Sequence, residues 1–317
     1  MRKGILLTIV SVLVIYVTPI FSTYAQQKSD LIIVSNDMIV LSEKQKLAYT
    51  VFIDRLKEYP SFDTISNKNI LPSWVYTKTN DENLNRLREK YDLNKVAGKG
   101  NEIERLINLM EWVHKMLHRN EAEYGVPKEK DAFSIIEFVQ EKGNYINCKM
   151  KSLVLNEVLL SLGYSSRRII FKPIAPEGDV HSIVSVYSTT LQKWICLDPT
   201  FNTYFVDESG EILGFLEIRE IYKTGIVPNF KSIIIPMDDP LRLWGIPFDL
   251  YDNWYAVYMA KNSFQVLCPV KSEFGYESSE DAKYVLLSPK AFNINEGDNK
   301  PNWVFIKDMN YFFEKPF

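Results

Sequence analysis

Residues 143–171 read GNYINCKMKSLVLNEVLLSLGYSSRRIIF, and within this stretch the sequence changes its period. Gly143 to Asn147 is a run of turn-forming and polar residues and reads as a loop. It feeds a predicted helix from Cys148 to about Leu162. Gly163 stands just past the end of that helix, where a left-handed backbone favours glycine. Beyond it the apolar period falls from 3.6 to 2. Arg167 to Phe171 reads as a strand, and His181 to Tyr187 as a second with His181, Ile183, Ser185 and Tyr187 on one face. Trp194 to Asp198 reads as a third, stopped by Pro199. Thr189 to Gln192 makes the turn between the last two. A helix followed by antiparallel strands predicts the α+β class, with the cysteine-bearing helix packed on the sheet.

Upstream, Glu102 to His118 carries Ile103, Leu106, Ile107, Met110, Val113 and Leu117 at the spacing of one buried helical stripe. A shorter helix is expected at Ala132 to Gln140, with Asp131 as its N-cap. Further helices are expected within Leu41 to Tyr59 and Asn80 to Tyr91, and Gly98-Lys99-Gly100 reads as a break. Downstream of Gly225 the chain is rich in aromatics, prolines and short strand-like runs: Ile233 to Ile235, Tyr255 to Met259, Phe264 to Leu267 and Tyr284 to Leu287. The division expected is a signal peptide at 1–25, a mixed helical segment at 26–100, a core at 101–224 and a β-rich C-terminal extension at 225–317 packed on that core.

A hydrophobic content of 46% over 317 residues is that of a globular chain and leaves ample apolar surface for a core. The net charge is -3, and about -5 without Arg2 and Lys3, which argues against nucleic acid as a partner. Met1-Arg2-Lys3, the apolar run Ile5 to Val17 and Thr23-Tyr24-Ala25 have the order of a secretory signal. Cleavage after Ala25 would leave an exported chain, periplasmic or extracellular, without a membrane span. An uncleaved anchor is the alternative, with Pro19 inside it. The three cysteines are Cys148, Cys196 and Cys268. A bridge between Cys196 and Cys268 stays open, and would leave Cys148 as an odd thiol.

The chemistry follows from Cys148. A thiol acts as a nucleophile once it is partly thiolate, and a helix N-terminus or a neighbouring imidazolium lowers its pKa. Of the three histidines, His181 begins the strand that follows the cysteine helix, and Asp198 ends the next strand. Adjacent antiparallel strands bring those ends together, so Cys148, His181 and Asp198 are expected as nucleophile, base and orienting carboxylate. The backbone N–H of Cys148 is half of an oxyanion site. Gln140, Asn144, Tyr145 or Asn147 could each supply the rest. Cys196 shares the strand parity of Trp194 and Asp198 and is read as packing. His114 and His118 have the i, i+4 spacing of metal ligands, but Lys115 stands where a zinc peptidase needs Glu, so no metal is expected.

These stretches resemble the transglutaminase-like superfamily, which has a papain-like cysteine core. The likeness is carried by Gly143 to Arg168, by His181-Ser182-Ile183-Val184-Ser185-Val186-Tyr187 and by Trp194-Ile195-Cys196-Leu197-Asp198-Pro199-Thr200, with Glu111-Trp112-Val113 in the lead helix. It covers roughly residues 100 to 205. Asn147 and Lys149 depart from the small residues frequent beside the nucleophile. The resemblance implies an exported enzyme of acyl transfer on amide bonds that needs no cofactor. Its substrate would be a peptide, a protein or another amide, with hydrolysis favoured over transamidation. A non-catalytic peptide- or glycan-binding module and a structural envelope protein are the competing readings.

Overall fold

A computed structural model of the chain describes residues 32–34, 41–65, 71–77, 80–117, 124–174, 179–232, 251–293 and 300–316. Residues 1–25, read above as a signal peptide, and Ile233 to Ile235 and His118 lie outside them. In chain order the strands are β1 (Ile32–Val34), β2 (Val75–Tyr76), β3 (Ser166–Lys172), β4 (His181–Ser188), β5 (Lys193–Leu197), β6 (Thr203–Val206), β7 (Asn229–Ser232), β8 (Gln265–Pro269), β9 (Lys271–Ser272), β10 (Tyr284–Leu287) and β11 (Trp303–Ile306). The helices are α1 (Glu43–Glu58), α2 (Glu82–Lys90), α3 (Leu93–Ala97), α4 (Glu102–Met116), α5 (Ala132–Lys142), α6 (Cys148–Ser161), α7 (Phe215–Thr224), α8 (Tyr251–Asn262) and α9 (Met309–Phe312).

The class is α+β. Six strands form the main sheet in the order β11-β10-β8-β3-β4-β5, antiparallel except for the β10–β11 pair. The alternation along β4 sends Val184 and Val186 to one face, where they meet Ile195 and Leu197 of β5 and Val154, Leu155 and Val158 of α6. Ile183 goes to the other face, into a second core with Phe171, Cys196, Val266 and residues of α1, α7 and α8. The sheet is therefore covered on both sides, and every residue of β4 is buried.

Local signals set the bounds of α6. The Asn147 side chain accepts the Met150 N–H at 3.2 Å, one of the donors a helix start leaves free. At the other end Gly163 has φ 85°, and its N–H donates to Leu160 O at 2.9 Å while Tyr164 N–H donates to Leu159 O at 3.1 Å. These bonds satisfy carbonyls of the last turn. From Met150 to Ser161 every residue is buried, because α2, α4 and α5 surround the helix on the side away from the sheet. Such a helix is embedded all round rather than along one stripe.

Two expectations change. Tyr255 to Met259, read as a strand, lies inside helix α8. A short apolar run has no period of its own to separate strand from helix. The stretch after Gly225, expected to pack on the core as a β-rich extension, extends the sheet itself: β8 lies at its centre, between β3 and β10. Cys196 and Cys268 are both free buried thiols, so the open question of a bridge is answered by two unpaired side chains.

Candidate active site

Cys148 is the first residue of α6, half-buried, where unpaired backbone N–H groups and the positive end of the helix dipole favour an anion. His181 opens β4 and Asp198 directly follows β5, both almost wholly buried. The His181 Nε2–H donates to Asp198 Oδ2 at 2.6 Å. The same carboxylate accepts Thr200 N–H at 2.9 Å and Phe201 N–H at 3.4 Å on Oδ1, and the Tyr255 hydroxyl at 3.0 Å on Oδ2. Four donors thus fix its orientation. With Nε2 engaged, Nδ1 is the ring nitrogen left over. It is buried, and the Cys148 thiol is the other side chain that hydrogen-bonds the ring.

The electrostatics follow from that juxtaposition. Burial by itself would raise the Cys148 pKa, but hydrogen bonding and charge from His181, helped by the Ser182 N–H, bring it below its ordinary value. Burial would lower the His181 pKa, yet the Asp198 carboxylate and Cys148 together raise it to about 10. The pair is stabilised as thiolate and imidazolium. The other two cysteines behave in the opposite sense: burial pushes Cys196 up, and Cys268 up to about 11.

No protein-family model matches the sequence, and no curated protein matches it either. Among solved structures, the chain is similar to a proposed cysteine protease of Cytophaga hutchinsonii, with TM-score 0.28 and 12% identity, over 53% of this chain and 54% of that one. It is similar to LapG of Legionella pneumophila, with TM-score 0.27 and 15% identity, over 45% and 76% of the two chains. It is also similar to Rad4–Rad23 bound to a 6-4 photoproduct lesion, with TM-score 0.26 and 12% identity, over 73% and 56%. Likenesses this slight establish neither fold nor activity.

The structure brings Cys148, His181 and Asp198 together and distributes the four oxyanion candidates differently. The Asn147 side chain is committed as a helix cap, and its Nδ2 donates to the Tyr124 hydroxyl at 2.9 Å. Gln140 is exposed and turned to Met116 Sδ. Tyr145 packs beside Tyr124 with ring centroids 6.0 Å apart, and Asn144 is half-buried. His114 donates Nδ1–H to Pro199 O at 3.0 Å, beside Asp198. Among the described residues, no cluster of three or more His, Cys, Asp or Glu has the arrangement of a metal site. No helix among them is long and apolar enough to cross a membrane.

Sequence reasoning missed the groups that α8 contributes. Tyr255 holds Asp198. Tyr258 lies edge-on to the His181 ring at 5.3 Å and is itself stacked by Trp254 at 4.7 Å. Phe201 covers the imidazole from another side at 5.3 Å. The Trp254–Tyr258 spacing of i, i+4 was the available signal. Lys151, one turn along α6 from Cys148, was also missed. It is buried, and burial lowers its pKa to about 8 against the pull of Asp198 and Cys148.

Proposed function

We propose that the chain is a cysteine-dependent enzyme of acyl transfer at amide bonds, with a papain-like core of the transglutaminase-like kind. The observation that carries this reading is one buried imidazole with Nε2 held by Asp198 and Nδ1 left to a thiol at a helix N-terminus. In the first step the Cys148 thiolate attacks the amide carbonyl carbon, and the Cys148 backbone N–H faces the developing oxyanion. The His181 Nδ1 proton passes to the leaving amine as the C–N bond breaks, which leaves a thioester on Cys148 and a neutral imidazole. Water then attacks the thioester, gives its proton to Nδ1, and releases the carboxylic acid and the thiolate. Asp198 keeps Nε2 protonated throughout.

Hydrolysis is the favoured outcome, because transamidation needs a second site for the acceptor amine. The substrate class is a peptide, a protein or another amide, and the chemistry calls for no cofactor. The basic, apolar and small-residue order of residues 1–25 supports action outside the cytoplasm. The test is covalent labelling with a panel of peptidyl acyloxymethyl ketones, read by intact mass and peptide mapping. The expected result is one adduct, on Cys148, lost in Cys148→Ala. A folded wild-type chain that takes up no member of the panel would reject the enzyme and favour a binding module.

A further inference from the structure

Cys148 and Lys149 are the first two residues of α6, so the Lys149 side chain leaves the helix beside the nucleophile. It is 34% exposed, and its ammonium lies 3.7 Å from Glu277 Oε2. That carboxylate is already engaged by the buried Arg168 through Nε and Nη2, and by the Tyr284 hydroxyl at 2.9 Å. Arg168 also donates Nη1–H to Ser182 Oγ at 2.9 Å, and Ser182 follows His181, so the cluster stands against the reacting pair. An ammonium has three N–H donors. Lys149 approaches Glu277 only at the long end of ion-pair range, and a third of its side chain remains open to solvent.

The charges around Lys149 lean to the positive. Lys149, Arg168 and Lys130, which stands just before α5, are cations, and Glu277 is the carboxylate set among them. Burial, Arg168 and Lys130 hold the Lys149 pKa below its ordinary value in spite of Glu277. The neighbouring carboxylates Asp131 and Glu157 are committed to backbone donors. Asp131 accepts Ser134 N–H at 3.0 Å, and Glu157 accepts Ala132 N–H at 2.7 Å and Gly275 N–H at 2.9 Å. A partly exposed cation beside a second, buried one favours an incoming negative charge. The far side of His181 differs. Phe201 and Tyr258 cover its ring, and Lys261, 5.0 Å from the Tyr258 centroid, is paired with Asp179.

We propose that Lys149 is a specificity residue that selects substrates with an acidic side chain, aspartyl or glutamyl, on the acyl side of the scissile amide. This rests on the reading of Cys148 as the nucleophile of acyl transfer. The leaving amine must approach His181 Nδ1, whose surroundings are aromatic. The acyl carbon bonds to Cys148 Sγ, one residue from Lys149, so the side chain it carries is the part of the substrate that meets the ammonium. A lysine carries its charge on a flexible four-carbon stem and can turn from Glu277 to a new carboxylate. Arg168 keeps Glu277 paired when it does so.

The probe pair is the acetyl-Ala-Asp and acetyl-Ala-Asn acyloxymethyl ketones, alike in size and different by one charge. The rate of Cys148 labelling by each is read by intact mass on the full chain at neutral pH. The aspartyl ketone is expected to react roughly three- to tenfold faster, the range for a charged hydrogen bond that is partly exposed. Lys149→Gln should abolish that preference, Lys149→Glu should invert it, and Lys149→Arg should keep most of it. A Lys149 with a purely structural role would slow both ketones alike and leave their ratio unmoved. Should Lys149→Gln not fold, the wild-type ratio and its decline with added salt decide, because salt screens an exposed ion pair. Equal rates for the two ketones, labelling by other members of the panel but not by the aspartyl ketone, or a preference that survives in Lys149→Gln or under salt overturns this inference and leaves the enzyme reading standing. A chain labelled by no ketone at all overturns both.

Discussion

At the scale of single residues, the account turns on how many donors converge on Asp198. The carboxylate accepts four hydrogen bonds on its two oxygens, so Asp198→Asn must point an amide N–H₂ at one pair of donors. We expect that variant to fold less stably and to be labelled by the amide-directed ketones more slowly than wild type. Tyr255→Phe is the gentler probe. It removes one hydrogen bond to a buried carboxylate and leaves the ring in place, a loss of about 1.5–3 kcal/mol. Urea denaturation reads that value, and an unchanged midpoint would mean the Tyr255 hydroxyl does not hold Asp198. Lys151→Met takes a buried positive charge away from the Cys148 thiolate, so the thiol pKa should rise. The pH profile of Cys148 alkylation should move its acid limb upward in this variant, and a shift downward would contradict the sign. Cys148, His181 and Asp198 were legible in the sequence because each sits at the end of an element that local patterns define. Tyr255 and Lys151 were not legible. Their roles come from packing between α8, α6 and the end of β5, which no local period encodes.

At the scale of elements, the start of α6 is tied to the sheet by a buried ionic network. Arg168 of β3 donates Nε–H to Glu277 Oε1 at 2.5 Å and Nη1–H to Ser182 Oγ at 2.9 Å, and its Nη2 also pairs with Glu277. The Tyr284 hydroxyl reaches the same carboxylate at 2.9 Å, and Lys149, next to the nucleophile, lies 3.7 Å from it. Ser182 follows His181, and its carbonyl accepts the Ser152 hydroxyl of α6 at 2.6 Å. The network thereby sets the spacing between the helix with the thiol and the strand with the imidazole. Removing one partner of such a buried pair leaves the other charge uncompensated, at about 3–5 kcal/mol. Glu277→Ala should therefore lose that much stability by denaturant unfolding and, where still folded, label poorly at Cys148. Full stability and labelling would show that the network is dispensable. The bounds of α4, α5 and α6 could be read from caps and from Gly163. The place of Glu277 could not, because it joins β3 across 109 residues of chain.

At the scale of the whole molecule, the main sheet is completed by strands that follow the cysteine core in the chain. β8 pairs with β3 and β10, so β8, β10 and β11 continue the main sheet and β8 lies inside it. A chain ending at Ser232 would lose β8, β10, β11 and α8 and expose the apolar face of β3. It is expected to give no cooperative thermal transition, whereas a sharp melt would show that the core folds alone. The sequence supported the α+β class because helix and strand periods follow one another between residues 148 and 198. The order β11-β10-β8-β3-β4-β5 is set by long-range pairing and could not be read from those periods. What the architecture accomplishes is to close helix α6 and strands β4 and β5 around one thiol and one imidazole. The direct test of that pairing is the rate of iodoacetamide alkylation of each cysteine in the folded chain across pH. The account predicts that Cys148 reacts far ahead of Cys196 and Cys268. Its acid limb should fall below the ordinary thiol range, because its folded pKa is depressed, and a second inflection should appear near pH 10 as His181 loses its proton. A single inflection in the ordinary thiol range, with Cys148 no faster than the other two, would contradict it.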